Sequence, residues 1–256
     1  MTQSIYNIVN DRGEEVRDRQ RSLNLREYNC ALVIGLGGIG SWVALNLALT
    51  GQIKKLVMYD SDTIENTNLN RTLFRICDIG RNKTDVVLEL ILERRIDIDI
   101  VIYNEKYDEN SLEVLKGKGS YPEVVIDCRD NIFKDIKQFS EHTKVWKLGY
   151  DGLSVTIDGN PRHTTVMGTS ARGNYDIVPS FVCSAQLVAN LVCNHILMPK
   201  YSLIDDGSFS CNDKDNLFNK LITFDTGRLL EGIYLGQNVD QQPVTEEVYN
   251  ANDHKG

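Results

Sequence analysis

The turn Gly35-Leu36-Gly37-Gly38-Ile39-Gly40 constrains this chain more than any other feature, because it joins two segments of different character. Before it, Cys30-Ala31-Leu32-Val33-Ile34 is a continuous apolar run, the pattern of a strand buried on both faces. After it, the segment from Ser41 to Thr50 reads as a helix that stops at Gly51. A second apolar run follows and ends on Asp60, twenty residues beyond Gly40. Strand, G-x-G-x-x-G turn, helix, strand and terminal carboxylate are together the parts of a nucleotide-binding βαβ unit. The glycines let the backbone approach a phosphate, the amides and dipole of the helix N-terminus meet its charge, and the carboxylate accepts from ribose hydroxyls. Gly35, Gly37, Gly38, Gly40 and Asp60 are therefore expected to bind a nucleotide. Close helix–strand packing alone would also ask for small residues here, and nicotinamide and flavin dinucleotides use the same glycines.

The alternation continues beyond Asp60. Val86, Val87, Leu90, Ile91 and Ile96 recur at helical spacing from Lys83 onward, while Asp85, Glu89, Glu93 and Arg94 fall elsewhere. A strand at 96–104, a helix near 109–117, a strand at 123–128, a helix at about 131–142 and a strand at 144–151 follow. Parallel strands need crossover connections, so the N-terminal half predicts a parallel sheet with helices on both faces, a Rossmann-like α/β fold. Two strand-like runs around Gly159-Asn160-Pro161 predict an antiparallel hairpin that makes the sheet mixed. A last apolar helix is expected from Phe181 to Leu197. The 256 residues fit one large domain at roughly 150 residues per domain, divided as an arm at 1–28, a nucleotide-binding domain at 29–200 and a tail at 201–256 of unassigned role.

Composition narrows the partners. Lys and Arg number 28 against 36 Asp and Glu, and the net charge of -8 argues against nucleic acid or an anionic membrane as the main partner. Two uncharged stretches, Cys30–Ile53 and Pro179–Met198, are long enough to span a bilayer. The first is broken by five glycines and Asn46, and the second carries Gln186, Asn190, Asn194 and His195, so neither is expected to cross. The six cysteines form no C-x-x-C pair, so no zinc ribbon is predicted. The polar N-terminus lacks the apolar core of a secretory signal, which favours the cytoplasm and reduced thiols.

The long polar connection from Asp60 to Lys83 separates the nucleotide classes, because structureless loops of that length inside compact domains are usually functional. It carries Asp62, Asn68, Asn70 and Arg71, with Lys83 at its far end. Two cations and two amides just past a ribose suit a triphosphate and the negative charge of departing pyrophosphate. Taken singly, Arg71 reads as a surface ion pair and Lys83 as a solvent-facing helix start. At the end of the fourth strand, Asp127-Cys128-Arg129-Asp130-Asn131 puts carboxylates where open parallel sheets hold ligands. Asp130 is a magnesium candidate, its alternative being a helix cap, and Asp127 is expected to hydrogen-bond within the strand end.

VIGLGGIGSW, DSDTIENTNLNR, DIGRNK and DCRDN, in that order and spacing, resemble the ThiF/MoeB/HesA superfamily of ubiquitin-activating-enzyme-like adenylyltransferases, over roughly residues 16–197. The resemblance implies ATP- and magnesium-dependent adenylation of a carboxylate, typically the C-terminal glycine of a ubiquitin-like or sulfur-carrier protein, with release of pyrophosphate. It places Gly37 and Gly40 beside the phosphates, Asp60 and Asp62 on the ribose side, Asn68, Arg71 and Lys83 on the phosphate chain, Asn131 at the nucleotide and Asp130 on magnesium. It implies that Arg19, or Arg17 or Arg21 beside it, reaches the neighbouring subunit's site, which needs a homodimer. The paired C-x-x-C motifs that hold zinc in many members are absent, which points to a zinc-less branch. Cys183 and Cys211 are candidates for a thioester or persulfide. Other readings are adenylation of a small molecule, a peptide or a tRNA-borne carboxylate, as in the dehydratase branch, an NAD-binding oxidoreductase, or a non-catalytic scaffold.

Overall fold

The computed structural model describes residues 20, 23–95, 97–130, 138–152, 154–159, 180–198 and 221–225. In chain order the elements are β1 (Tyr28–Ile34), α1 (Gly40–Thr50), β2 (Ile53–Tyr59), α2 (Lys83–Leu92), β3 (Asp99–Tyr103), α3 (Ser111–Gly117), β4 (Val124–Asp127), β5 (Lys144–Asp151), β6 (Ser154–Asp158), α4 (Val182–Leu197) and β7 (Leu221–Asp225). One seven-stranded sheet runs in the order β3-β2-β1-β4-β5-β6-β7. The pairs from β3 to β5 are parallel, whereas β5–β6 and β6–β7 are antiparallel, so the sheet is mixed as the sequence predicts.

The order follows from where the apolar residues face. Ala31, Val33, Leu56, Met58, Ile126, Trp146 and Leu148 point to one side and pack with the buried faces of α1, α2 and α4. Leu32, Ile34, Val57, Tyr59, Val125 and Val145 point to the other, against Leu112 and Leu115 of α3 and against Phe139. Each such side chain contributes roughly 1.5–3 kcal/mol on burial, so β1, buried on both faces, anchors the sheet. Gly51 ends α1 in the left-handed conformation, φ 77°, as its position predicts. Polar residues that argued against bilayer spans pair between helices, with Asn46 Nδ2 donating to Asn190 Oδ1 at 2.9 Å. Among the described residues no helix is long and apolar enough to cross a membrane.

One expectation is corrected. Over Ser154–Asp158 both edges of β6 are occupied, by β5 on one side and β7 on the other, so the hairpin that pairs it turns at 152–153 and not around Gly159-Asn160-Pro161. Asp151 pairs with Ser154, leaving a two-residue loop whose first residue, Gly152, has φ 56°. That is the left-handed start that mirror-type hairpin turns require, and a glycine at the first of the two loop positions was its signal. The helix predicted at 131–142 lies mostly outside the described residues. The first strand begins at Tyr28, whose hydroxyl donates to the Ile196 carbonyl at 2.9 Å.

Candidate active site

The glycine turn lies at the carboxyl end of β1, beside the ends of β2 and β4. Gly35 has φ 84° and donates its N–H to the Tyr59 carbonyl at 2.8 Å. A Cβ on Gly40 would lie 1.8 Å from the Gly35 carbonyl oxygen, so the start of α1 can press onto the strand end only without a side chain there. A Cβ on Gly38 would come 2.5 Å from the Tyr150 hydroxyl, whereas Gly37 faces open space. No side chain caps α1, and in its first turn the Ser41 N–H donates to the Gly37 carbonyl at 3.2 Å. Among the described residues the buried Ser41 hydroxyl in that first turn has no hydrogen-bond partner.

Asp60, buried at the end of β2, holds this turn in shape. Its Oδ2 accepts from the Leu36 N–H at 2.6 Å and its Oδ1 from the Asp62 N–H at 2.8 Å. Burial raises its pKa above the ordinary carboxylate value, while Lys83 and the two amides act the other way. Lys83 is not solvent-facing. It is the first residue of α2, with a side chain only 9% exposed, and its Nζ lies 2.8 Å from Asp62 Oδ2 and 3.9 Å from Asp60 Oδ1. The hydrogen bond from Lys83 lowers the pKa of the more exposed Asp62.

The connection between β2 and α2 is an ordered loop closed at its base. Thr63 bridges Asn82, the Ile64 N–H donates to the Arg81 carbonyl at 2.9 Å, and the Gly80 N–H donates to the Ile64 carbonyl at 2.8 Å. Inside it Asp78, 1% exposed, accepts from Arg75 Nε at 2.9 Å and from the Arg75 N–H at 2.9 Å. Asn68 builds the loop as well, its Oδ1 accepting from the Glu65 N–H at 3.1 Å. Arg71 emerges from this frame. Its guanidinium donates to the Thr67 carbonyl and, at 3.0 Å, to Asn70 Oδ1, while its own carbonyl accepts from Trp42 Nε1 of α1 at 3.0 Å.

Asp127, fully buried at the end of β4, takes a forked contact from Arg129, with Nε at 3.1 Å from Oδ1 and Nη2 at 3.0 Å from Oδ2. Lys147 of β5, directly opposite in register, adds its Nζ at 3.4 Å. Arg129 also lies over the Tyr107 ring and donates to the Tyr107 carbonyl at 3.2 Å. The next residue, Asp130, is exposed, and its charge reaches Tyr150. The described contacts thus gather Asp60, Asp62 and Lys83 at the end of β2, set Gly38 against the Tyr150 hydroxyl and tie Arg71 through its carbonyl to Trp42 of α1, while Asp130 stands exposed past the end of β4. Arg17, Arg19, Arg21, Asn131 and Cys211 lie outside the described residues, and Cys183 is exposed in the first turn of α4. Sequence reasoning missed Tyr150, Arg129 and Lys147. A lysine within an apolar strand was the available signal for Lys147, but the register that sets it opposite Asp127 is a tertiary fact.

The ThiF family model matches residues 13–141, half of the chain. The chain belongs to the ThiF family. Within the ThiF/MoeB/HesA superfamily it is similar to the NEDD8-activating enzyme E1 catalytic subunit of Arabidopsis thaliana, 40% identical over 91 residues, 35% of this chain and 20% of that one. It is similar also to the sulfur carrier protein ThiS adenylyltransferase of Escherichia coli strain K12, 36% identical over 102 residues, 40% of this chain and 39% of that one. The chain therefore spans between a fifth and two fifths of these relatives' length. Among solved structures, the tRNA N6-threonylcarbamoyladenosine dehydratase TcdA of E. coli in complex with AMP superposes with a TM-score of 0.52 at 17% identity, over 66% of this chain and 84% of that one, a likeness of fold. The ThiF-family match holds the glycine turn, the loop and Asp127–Asp130, and stops short of Lys147 and Tyr150.

Proposed function

We propose that this chain adenylates a carboxylate at the expense of ATP, the substrate being the C-terminal glycine of a ubiquitin-like or sulfur-carrier protein. The observation that carries the reading is Lys83, delivered by the far end of the β2–α2 loop and held 2.8 Å from Asp62 and 3.9 Å from Asp60, the carboxylate that shapes the glycine turn. A buried cation beside that turn serves a phosphate chain. A nicotinamide site has no use for a cation delivered by so long a loop.

In the reaction a carboxylate oxygen forms a bond to the α-phosphorus, the bond from that phosphorus to the bridging oxygen breaks, and pyrophosphate leaves with the electron pair. A carboxyl of pKa about 4 is already ionised at neutral pH, so no general base is required. Catalysis rests on placement and charge. The open backbone at Gly37, the uncapped start of α1 and the unpartnered Ser41 hydroxyl fit phosphate oxygens. Asp60 keeps the turn in shape through the Leu36 N–H. Arg71 and Lys83 offset charge on the leaving group, Lys83 exchanging its bond to Asp62 for the nucleotide. Asp130 would hold magnesium, which binds through few carboxylates plus phosphate oxygens and supplies charge neutralisation there. Arg19 acting across a homodimer belongs to the same proposal.

The test is isotope exchange between pyrophosphate and ATP with a sulfur-carrier protein bearing a free C-terminal glycine. Asp130→Ala is expected to slow exchange by about a hundredfold or more. Exchange at the parental rate under saturating magnesium and ATP overturns the assignment. Exchange supported instead by a small carboxylate or a peptide would keep the chemistry and move the substrate.

A further inference from the structure

Lys147 stands between Trp146 and Leu148 in a buried stretch of β5, with a side chain only 6% exposed. Trp146 and Leu148 pack on the side of α1 and α4, so Lys147 faces the opposite side of the sheet. Register sets it there between two buried carboxylates, Asp127 of β4 and Asp158 of β6. The lysine lies beyond the residues that the ThiF family model matches. A cation with so little access to water has to find its partners among protein groups.

Those partners lie where β4 ends. The Nζ is 3.4 Å from Asp127 Oδ1 and donates to the Arg129 carbonyl. Arg129 is held at its other groups as well: its N–H donates to Asp127 Oδ1 at 2.9 Å, its guanidinium forks onto the same carboxylate, and Nη1 donates to the Tyr107 carbonyl at 3.2 Å. The same stretch presses on the glycine turn. A Cβ on Gly35 would stand 3.3 Å from the backbone nitrogen and the Cγ of Arg129, and the Cys128 N–H donates to the Ile34 carbonyl at 2.8 Å. Of these contacts the lysine's reaches furthest along the chain toward Asp130. The peptide that joins Arg129 to Asp130 is a rigid plane, so anchoring its oxygen fixes where the Asp130 nitrogen and Cα stand. Asp130 is exposed, and this plane orients it from the N-terminal side.

We propose that Lys147 is a positioning residue that, through the Arg129 carbonyl, aims Asp130 at the magnesium accompanying ATP. This rests on the role given to Asp130 in the adenylation reading and deepens it. A carboxylate whose main chain is already fixed loses less freedom on meeting the metal, so the lysine strengthens the magnesium-dependent part of nucleotide binding and leaves the rest alone.

Calorimetry on the full chain measures affinity for ATP with and without magnesium in the parent, Lys147→Met, Asp130→Ala and the double variant. The ratio of the two affinities is the quantity read. Met keeps most of the apolar stem and removes the charge and the donor. Lys147→Met is expected to lower the ratio about tenfold, and by no more than Asp130→Ala does, with metal-free affinity within about twofold of the parent's. In the Asp130→Ala background the same change should move the ratio by less than about twofold. A lysine that only holds the fold would weaken both affinities alike. That result, a parental ratio in Lys147→Met, or an equal loss in both backgrounds overturns the proposal. If loss of the lysine alone unfolds the chain, Asp127→Asn/Lys147→Met, which removes both buried charges together, is read in its place by the same criteria. If Asp130→Ala keeps the parental ratio, the magnesium role of Asp130 falls and that of Lys147 with it. If the ratios change as expected while pyrophosphate exchange is absent, adenylation fails and the role of Lys147 stands.

Discussion

Gly37 and Gly40 are three residues apart in one motif and answer to different constraints. At Gly40 a methyl group would meet the Gly35 carbonyl oxygen at 1.8 Å, and that neighbour is strand-end backbone, with nothing soft to move. Gly40→Ala is therefore expected to destabilise the fold by about 3 kcal/mol or more, at the upper end of overpacking costs. Gly37 has nothing within 4 Å of the corresponding position, so Gly37→Ala should melt near the parent's temperature and lose the stabilisation that magnesium–ATP confers. Melting curves with and without magnesium–ATP separate the two, and a Gly37→Ala variant that melts as low as Gly40→Ala would show the turn to be structural only. The motif was legible in the sequence because its spacing carries the chemistry. Tyr150, which makes Gly38 a glycine, was not, since it lies more than a hundred residues away on a strand with no motif of its own.

Between β2 and α2 the sequence announces a loop and says little about its inside. Its length and charges marked it as functional, but its order comes from contacts that have no period: Asn68 to Glu65, Asp78 to Arg75 and Arg81, Thr63 to Asn82. Asp78 is the centre of that order. Hydrogen bonds from Arg75 hold its pKa below the usual carboxylate value of 3.8, the folded chain thus favouring the ionised form. A carboxylate with a depressed folded pKa contributes stability above its unfolded pKa and loses it as pH falls through the folded value, so the loss belongs to the range below about pH 4. Asp78→Asn, which turns one acceptor into a donor facing arginine donors, is expected to cost about 1–3 kcal/mol at pH 7. Because the variant has no proton to take up there, the gap between its melting temperature and the parent's should narrow between pH 5 and pH 3. A constant gap across that range would mean that Asp78 acts by shape and not by charge. Arg71, whose carbonyl accepts from Trp42 of α1, and Lys83, paired with Asp62 and near Asp60, leave different parts of this loop, so its order is what sets where both cations stand.

At the scale of the whole molecule, the parallel half of the sheet was readable because buried strands and amphipathic helices alternate with clear periods. The antiparallel half was less so. Gly152 competes with Gly159-Asn160-Pro161 for the turn, and a choice between them depends on which edge of β6 is free. It has no free edge, because Leu221–Asp225, five residues in a polar tail, pairs along its whole length from Ser154–Asp225 to Asp158–Leu221. The C-terminal segment thereby extends the same sheet that carries the site. In an antiparallel ladder successive residues turn their N–H groups to opposite sides, so of two neighbours on an edge strand one donates to its partner and the other does not. Proline removes the N–H, and an edge strand tolerates it only at the position facing away. Ile222→Pro and Thr223→Pro are therefore expected to differ in stability by about 1 kcal/mol or more, measured by chemical denaturation of the full chain, with one variant near the parent. Two variants that both match the parent would remove β7 from the sheet. If the pairing holds, both should still be stabilised by magnesium–ATP, because the glycine turn stands at the end of β1, with β4 and β5 between it and β6.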